Sequence, residues 1–219
     1  MTLQPLEIQK SDRGKNLYIF FGGIAAGIAM PPFEFYKTSK ILDEHRVFIR
    51  DLSQSWYQRG LTGISTEVNG TADYIAGLIG ELQPQKTFFV GNSMGGYAAI
   101  LFSSLLGGEA IAFAPQSFIS PLLRIRYKDF RWQRQVISTY FYSVRRDHIW
   151  DLKPLLERNK RNRVSIYVCP SHHLDSVHAS RLSGIGGVRI FEIPGGGHDL
   201  VKVLRDSGRL PSIMAGQIS

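Results

Sequence analysis

With 219 residues, 43% apolar and 20% charged, the chain has the size and composition of one globular domain with a full core. Its one cysteine, Cys169, excludes an internal disulfide framework, and the lack of repeats or low-complexity tracts excludes solenoid and fibrous classes. The net charge of +8 narrows the partner classes to nucleic acid, an anionic surface or an acidic substrate.

The N-terminal stretch Met1 to Ser11 mixes polar and charged residues and lacks the apolar core of a signal peptide. Leu17 to Met30 is the most apolar stretch, but it is shorter than the roughly 20 residues of a membrane span. A cytoplasmic protein is therefore expected. Leu17 to Phe21 predicts a buried strand ending at Gly22-Gly23, and Pro31-Pro32 can open a helix through Phe35, Tyr36 and Ile41. Arg46 to Arg50 is the next strand, followed by a polar loop, Asp51 to Gly63, that carries Trp56 and Tyr57. Thr66 to Leu82 has helical spacing at Val68, Ala72, Ile75, Leu78, Ile79 and Leu82.

Lys86 to Val90 predicts a short strand, Met94 to Leu106 a helix stopped by Gly107-Gly108, and Glu109 to Ala114 another strand. Residues 117 to 150 break the alternation and read as an insertion. Its cations Arg124, Arg126, Lys128, Arg131, Arg134, Arg145 and Arg146 are interleaved with Tyr127, Phe130, Trp132, Tyr140, Phe141 and Tyr142. Two readings stand side by side: an anion-binding lid, or a solvated helix face whose apolar side packs on the body. After it come a short helix over Asp151 to Arg158, a strand over Arg163 to Cys169, a helix over Ser176 to Leu182, a strand over Val188 to Ile193, and a final helix from Asp199 to Arg205. Cys169, inside an apolar run, reads as a buried small hydrophobe.

This alternation of strand and helix predicts an α/β fold with a doubly wound, mostly parallel sheet, single-domain over residues 1–219 with 117–150 as a lid-like insertion. Its strands are near-continuous apolar runs, as strands covered on both faces should be. In such sheets function gathers at the carboxyl ends of the strands.

Three strand ends carry unusual chemistry. Gly91-Asn92-Ser93-Met94-Gly95 matches G-x-S-x-G between a strand and a helix, the context of a nucleophile elbow. Ser93 would stand at a helix N-terminus, where N–H groups favour developing negative charge. No lysine follows where a phosphate loop needs one, and no cofactor is expected. Beyond the next strand but one, Asp175 is the only carboxylate between Arg163 and Phe191. It suits the orienting acid of a nucleophile–base pair, with a plain helix N-cap as the alternative role. The neighbouring His172, His173 and His178 leave room for a metal-ligand set with Asp175, although no metal motif spacing is matched and no metal is the expectation. The third strand end, Pro194-Gly195-Gly196-Gly197-His198-Asp199, brings His198 over the sheet edge as candidate base; its ordinary pKa near ~6.5 suits proton exchange near neutrality. For a developing oxyanion the donors expected are the backbone N–H of Met94 and that of Gly23 or Ile24.

F-G-G-I, G-N-S-M-G-G and G-G-G-H-D, in this order with Asp175 between the last two, resemble the α/β-hydrolase superfamily, over roughly residues 3 to 210. R-G-L-T-G-I-S (59–65) is similar to a D-x-R-G-x-G-x-S pattern in many members, and D-S-V-H-A-S-R-L (175–182) to the stretch after their acid. The chain departs in its Phe21-Gly22, where many members carry His-Gly, and in its basic insertion. The resemblance implies esterase, thioesterase, amidase or lactonase chemistry on an α/β-hydrolase fold with a short helical insertion. The expectation is a serine hydrolase of a small acyl ester or thioester, with Ser93, His198 and Asp175 as catalytic residues. Tyr127 or Trp132 would line a pocket under the insertion, and the basic charge suggests an anionic substrate. The rivals are a non-catalytic ligand-binding module and a metal-dependent hydrolase using His172, His173 and Asp175. No specific nucleic-acid partner is expected.

Overall fold

In the computed structural model, which describes residues 4–24, 33–142, 148–159 and 161–216, the apolar runs pair into a seven-stranded sheet. In chain order the strands are β1 (Leu6–Gln9), β2 (Asn16–Phe21), β3 (His45–Ile49), β4 (Lys86–Asn92), β5 (Glu109–Phe113), β6 (Val164–Val168) and β7 (Val188–Glu192). The helices are α1 (Val68–Leu82), α2 (Met94–Leu106), α3 (Pro121–Tyr127), α4 (Gln133–Tyr142), α5 (Leu152–Arg158), α6 (His173–Ser180), α7 (Leu200–Asp206) and α8 (Leu210–Met214). The sheet order is β1-β3-β2-β4-β5-β6-β7, parallel throughout except for β1, which pairs antiparallel with β3 at the edge. The doubly wound, mostly parallel sheet expected from the sequence is what forms.

Side chains alternate across the sheet, and both sides are dry. Leu17, Ile19 and Phe21 of β2 join one core under α1, α2, α5 and α6. Tyr18 and Phe20 join the other, under α7, α8 and residues 33–42. That second face is aromatic: Tyr18 stacks on Phe88 at 4.7 Å, Phe20 on Phe48 at 5.2 Å, and Tyr167 on Phe113 and Phe191 at 5.3 and 4.8 Å. Such offset pairs add to burial, by about 0.5–1.5 kcal/mol each.

Several local expectations change. Strand β1 was not foreseen; four residues with half-buried side chains carry too little periodicity. Where a helix through Phe35 to Ile41 was expected, the described part is turns and a 3-10 turn at Thr38–Ile41; Pro31 and Pro32 lie outside the described residues. The loop after β3 is not a solvated one. Asp51, buried, accepts hydrogen bonds from the backbone of Ser53, Ser55 and Tyr57 at 2.6–2.9 Å, and this folds Trp56 and Tyr57 completely inward. The cap of α6 is His172, whose ring accepts from Asp175 N, so Asp175 is one turn inside the helix. A further helix, α8, follows the one expected to be last.

Glycines inside α1 mark a place where the fold is under-optimised. At Gly77 a Cβ would meet nothing within 4 Å. Gly77→Ala should therefore raise stability by about 0.5–1 kcal/mol, because alanine orders a helix at lower entropic cost. Urea denaturation with an unchanged m-value checks this; a loss of stability would mean that the α1 surface is covered.

Candidate active site

The carboxyl ends of β2, β4, β6 and β7 converge, and each sends one loop to the same place. The tightest is the β4–α2 turn. Ser93 has φ 54° and ψ −115°, a region that side chains avoid, at a strain of about 1–3 kcal/mol. The surroundings enforce it. A Cβ on Gly91 would lie 2.1 Å from Gly95 O, and one on Gly95 would lie 2.2 Å from Phe21 O. Only glycine lets the turn close against its own helix and against the end of β2. Ser93 N donates to Phe113 O at 2.9 Å and Ser93 O accepts from Tyr97 N at 3.0 Å, which pins the turn between β5 and α2. Met94 opens α2, so its N–H has no helical carbonyl to bond.

Three side chains expected to meet do meet. Asp175 is fully buried, and its Oδ2 lies 2.7 Å from His198 Nδ1, while His198 Nε2 lies 3.2 Å from Ser93 Oγ. An ionised carboxylate only accepts, so Nδ1 carries the proton and Nε2 is left to accept from the serine hydroxyl. Burial pushes the Asp175 carboxyl up, but the His198 and Arg131 hydrogen bonds and charges outweigh it and hold it below the usual carboxylate range.

Arg131 is the partner that sequence reasoning missed. Its Nη1 donates to Asp175 Oδ1 at 2.8 Å, while its Nε and Nη2 grip Asp129 at 3.0 and 2.9 Å. Asp129, buried, also faces His178 Nε2 at 2.9 Å. The backbone N–H of Ser117 donates to His178 Nδ1, so Nε2 bears the proton given to Asp129 and the imidazole is neutral. Burial lowers the His178 pKa in agreement, against the raising influence of Asp129. The chain of groups His178–Asp129–Arg131–Asp175–His198–Ser93 thus runs from α6 through the insertion into the site. A signal existed: Asp129 is the sole acid between Ser117 and Arg146 in an otherwise cationic stretch.

Glu34 is the second missed group. Its Oε2 accepts from Gly23 N at 2.9 Å, and the Asn92 amide also bonds to it. Desolvation pushes its carboxyl up to about 7, against the lowering influence of Gly23, Asn92 and His198. The Gly23 N–H, expected as an oxyanion donor, is therefore occupied. Next to it, Tyr57 Oη donates to Gly22 O at 3.1 Å and Ile24 packs on the main core, so the loop is braced from below.

The candidate metal set changes membership. His172, Asp175 and His198 have ligand-type atoms within 4.8 Å of one another, while His173 is exposed. Arg131 already supplies a positive charge to Asp175 there. The aromatics of the insertion part company too. Tyr127 packs on Phe118 at 5.4 Å and near the Arg181 guanidinium at 5.8 Å, contacts that do not involve Ser93. Trp132 packs on the main core beside Arg131, with a buried Nε1 that has no partner.

No family model matches the chain, and no curated protein matches it. Solved structures do. The capsule O-acetyltransferase of Neisseria meningitidis serogroup A aligns over 98% of this chain and 92% of its own, with a TM-score of 0.71 and 16% identity. MenH from S. aureus aligns over 98% of both chains at a TM-score of 0.61 and 11% identity. A lipase-esterase related protein from Clostridium acetobutylicum aligns over 96% and 99% at 0.59 and 12%. The chain has the α/β-hydrolase fold. At these identities the likeness is one of fold, the expectation drawn from F-G-G-I, G-N-S-M-G-G and G-G-G-H-D. Within this fold Ser93 stands in the turn after β4, Asp175 in the first turn of α6 after β6, and His198 in a 3-10 turn after β7, in the chain order serine, acid, histidine. No helix among the described residues is long and apolar enough to cross a membrane.

Two titrations test the electrostatics. Asp175 and Asp129 are carboxylates with depressed folded pKa values, so the stability they contribute is present above the ordinary carboxylate pKa and lost as pH falls through the folded one. Arg131→Gln removes a shared cause. Its deficit should be about 3 kcal/mol near pH 7 and begin to shrink once pH falls below the ordinary carboxylate range, as the two carboxyls take up protons. A deficit independent of pH would show that packing, not charge, holds Arg131. Glu34 has the opposite sign: its raised pKa means that its contribution is intact below the ordinary value of 4.5 and lost as pH rises through about 7. Relative to Glu34→Gln, the unmodified chain should lose on the order of 2 kcal/mol across that window. A flat difference in the denaturation series would rule this out.

Proposed function

We propose that the chain is a serine hydrolase acting on a carboxylic ester or thioester through an acyl-enzyme. The observation that carries this reading is the unbroken path from Ser93 Oγ to His198 Nε2 at 3.2 Å and from His198 Nδ1 to Asp175 Oδ2 at 2.7 Å. Ser93 Oγ attacks the carbonyl carbon as His198 Nε2 takes its proton. Asp175 holds the ring and offsets the positive charge that forms. The carbonyl oxygen becomes an oxyanion beside Met94 N–H, with Ile24 N–H as the second donor. Gly23 can assist only when Glu34 releases it. The tetrahedral intermediate collapses, the alcohol or thiol departs with the proton from His198, and water then repeats the sequence on the acyl-serine. Trp132, next in the chain to Arg131, is the better candidate of the two aromatics for lining the acyl site. The metal-dependent alternative would have to use His172, Asp175 and His198, since His173 is exposed and outside that cluster, and it would share Asp175 with Arg131.

A second reading is favoured by the capsule O-acetyltransferase neighbour, another structure of which is in complex with CoA: the acyl group passes to an acceptor hydroxyl in place of water. Both readings share the acyl-enzyme, and the basic segment suits an anionic acyl donor in either.

A fluorophosphonate probe should add once, on Ser93, by intact mass and peptide mapping. Labelling should vanish in Ser93→Ala, and Asp175→Asn should slow ester turnover by about 10⁴-fold with the fold retained. Absence of an adduct on the folded protein would overturn both readings. Acyl-CoA consumption that rises on adding a polyhydroxyl acceptor would select the second.

A further inference from the structure

We propose that residues 121–142 of the insertion form a docking surface for an anionic lipid bilayer. Among the described residues, seven of the nine exposed large hydrophobic side chains lie within this one segment, which holds a small part of the chain. Isolated exposed apolar groups are ordinary, but a concentration of them marks a surface meant to be covered.

The arrangement is patterned. In α4, Val136 and Thr139 are buried against the body, while Ile137, Tyr140 and Phe141 recur at helical spacing on the solvent side, with Phe141 76% exposed. In α3, Leu122 and Ile125 project outward at i and i+3, 79% and 65% exposed, with Arg124 turned inward. Both helices are therefore amphipathic with apolar groups on the side away from the core, the reverse of what a merely solvated face needs. The expectation of a solvated helix face is met only by the cations interspersed there.

Charge identifies the partner. Arg126, Lys128 and Arg134 are exposed in the same segment, and the Arg59 guanidinium lies 4.9 Å from the ring centroid of the exposed Tyr142. The only carboxylate between residues 117 and 142 is Asp129, which is buried against Arg131 and His178. No exposed anion therefore opposes these cations within the segment. A second copy of this face would bring like charges together across a two-fold axis. Nucleic acid would satisfy the cations but leave Leu122, Ile125 and Ile137 against a polyanion. A bilayer with anionic headgroups meets both needs: the cations sit at the phosphates while the aliphatic and aromatic groups enter the headgroup–acyl boundary. Short helices with two exposed tyrosines, Tyr140 and Tyr142, suit a shallow, reversible position at that depth.

The test is co-sedimentation of the full chain with large vesicles, either pure phosphatidylcholine or the same with about one-third phosphatidylglycerol. Binding should require the anionic lipid and weaken with added salt. Ile137→Ser combined with Phe141→Ser should lower the partition coefficient roughly tenfold or more, and Arg126→Gln and Lys128→Gln by about fivefold each. These side chains lie outside the proposed catalytic machinery, so fluorophosphonate labelling of Ser93 should be unchanged, which separates a failure here from a failure of the hydrolase reading. The proposal is overturned by absence of binding to anionic vesicles, or by binding that the serine variants leave intact. It is equally overturned if the same variants abolish self-association or retention on polyglutamate while vesicle binding stays absent.

Discussion

The approach of α2 to the end of β2 is the constraint from which the site follows. Gly95 sits so close to Phe21 O that no side chain fits, and Gly91 is equally close to Gly95 O. These contacts set how sharply the chain turns after β4, and the turn forces Ser93 into its unfavourable backbone conformation. The strain is held by the parallel pairing of β4 with β2 and β5 on either side, and by two dry faces packed against that sheet. Loosening either glycine contact would move Ser93 Oγ relative to His198, which stands on a different strand end. Since a displacement of ~1 Å is enough to cost about 100-fold in a positioned reaction, the rigidity of the central strands belongs to the function as much as to the fold.

Electrostatics then fix what the geometry brings together. Asp175 has no exposure, and a buried carboxylate is tolerated only where its oxygens are answered. His198 answers Oδ2 and Arg131 answers Oδ1, so the acid is ionised and oriented before any substrate arrives. The arginine comes from the insertion, and the insertion is thereby tied to the first turn of α6 by a salt bridge rather than resting on it as a detachable cover. On the opposite side, Glu34 puts a second carboxyl on Gly23 N–H, beside the proposed oxyanion donors. Neutral, it leaves the electrostatics of Met94 N–H undisturbed; ionised, it opposes the charge that would develop there.

Much of this was legible in the residues because local signals and global fold agree. The six parallel strands are short apolar runs bounded by glycine, proline or charge, and strands buried on both faces have to be written that way. The elbow and the glycine-rich loop before His198 are visible since close backbone approach admits only glycine. What stayed hidden depends on contacts between distant segments. β1 has no pattern of its own and exists because β3 offers an edge. Trp56 and Tyr57 looked like loop residues, yet Asp51 accepts three backbone N–H groups and turns them inward, where Trp56 Nε1 meets Gln116 at 2.6 Å, sixty residues on. Arg131 stands out from its basic neighbours only by the lone acid beside it, Asp129, and Glu34 bears on Gly23 only through a fold-back of the chain.

The single carboxylate of residues 117–142 explains why a segment so cationic can still pack. Arg124 is buried and Arg131 half-buried, and Arg124 Nη2 donates to the Arg131 carbonyl, so two arginines share one region against the body. Unopposed, their repulsion and desolvation would drive the segment off the body. Asp129 removes that obstacle by binding Arg131 through three nitrogens, backbone and side chain, and by taking the Nε2 proton side of neutral His178. The inner charge is thus compensated locally, and Asp175, which bonds Arg131 through Oδ1, keeps Oδ2 for the imidazole. Arg126, Lys128 and Arg134 receive no such carboxylate from within the segment. Inside the insertion, then, positive charge is neutralised where it touches the site and left open where it faces outward beside Leu122, Ile125 and Phe141, a division that serves an anionic surface outside and a balanced acid within.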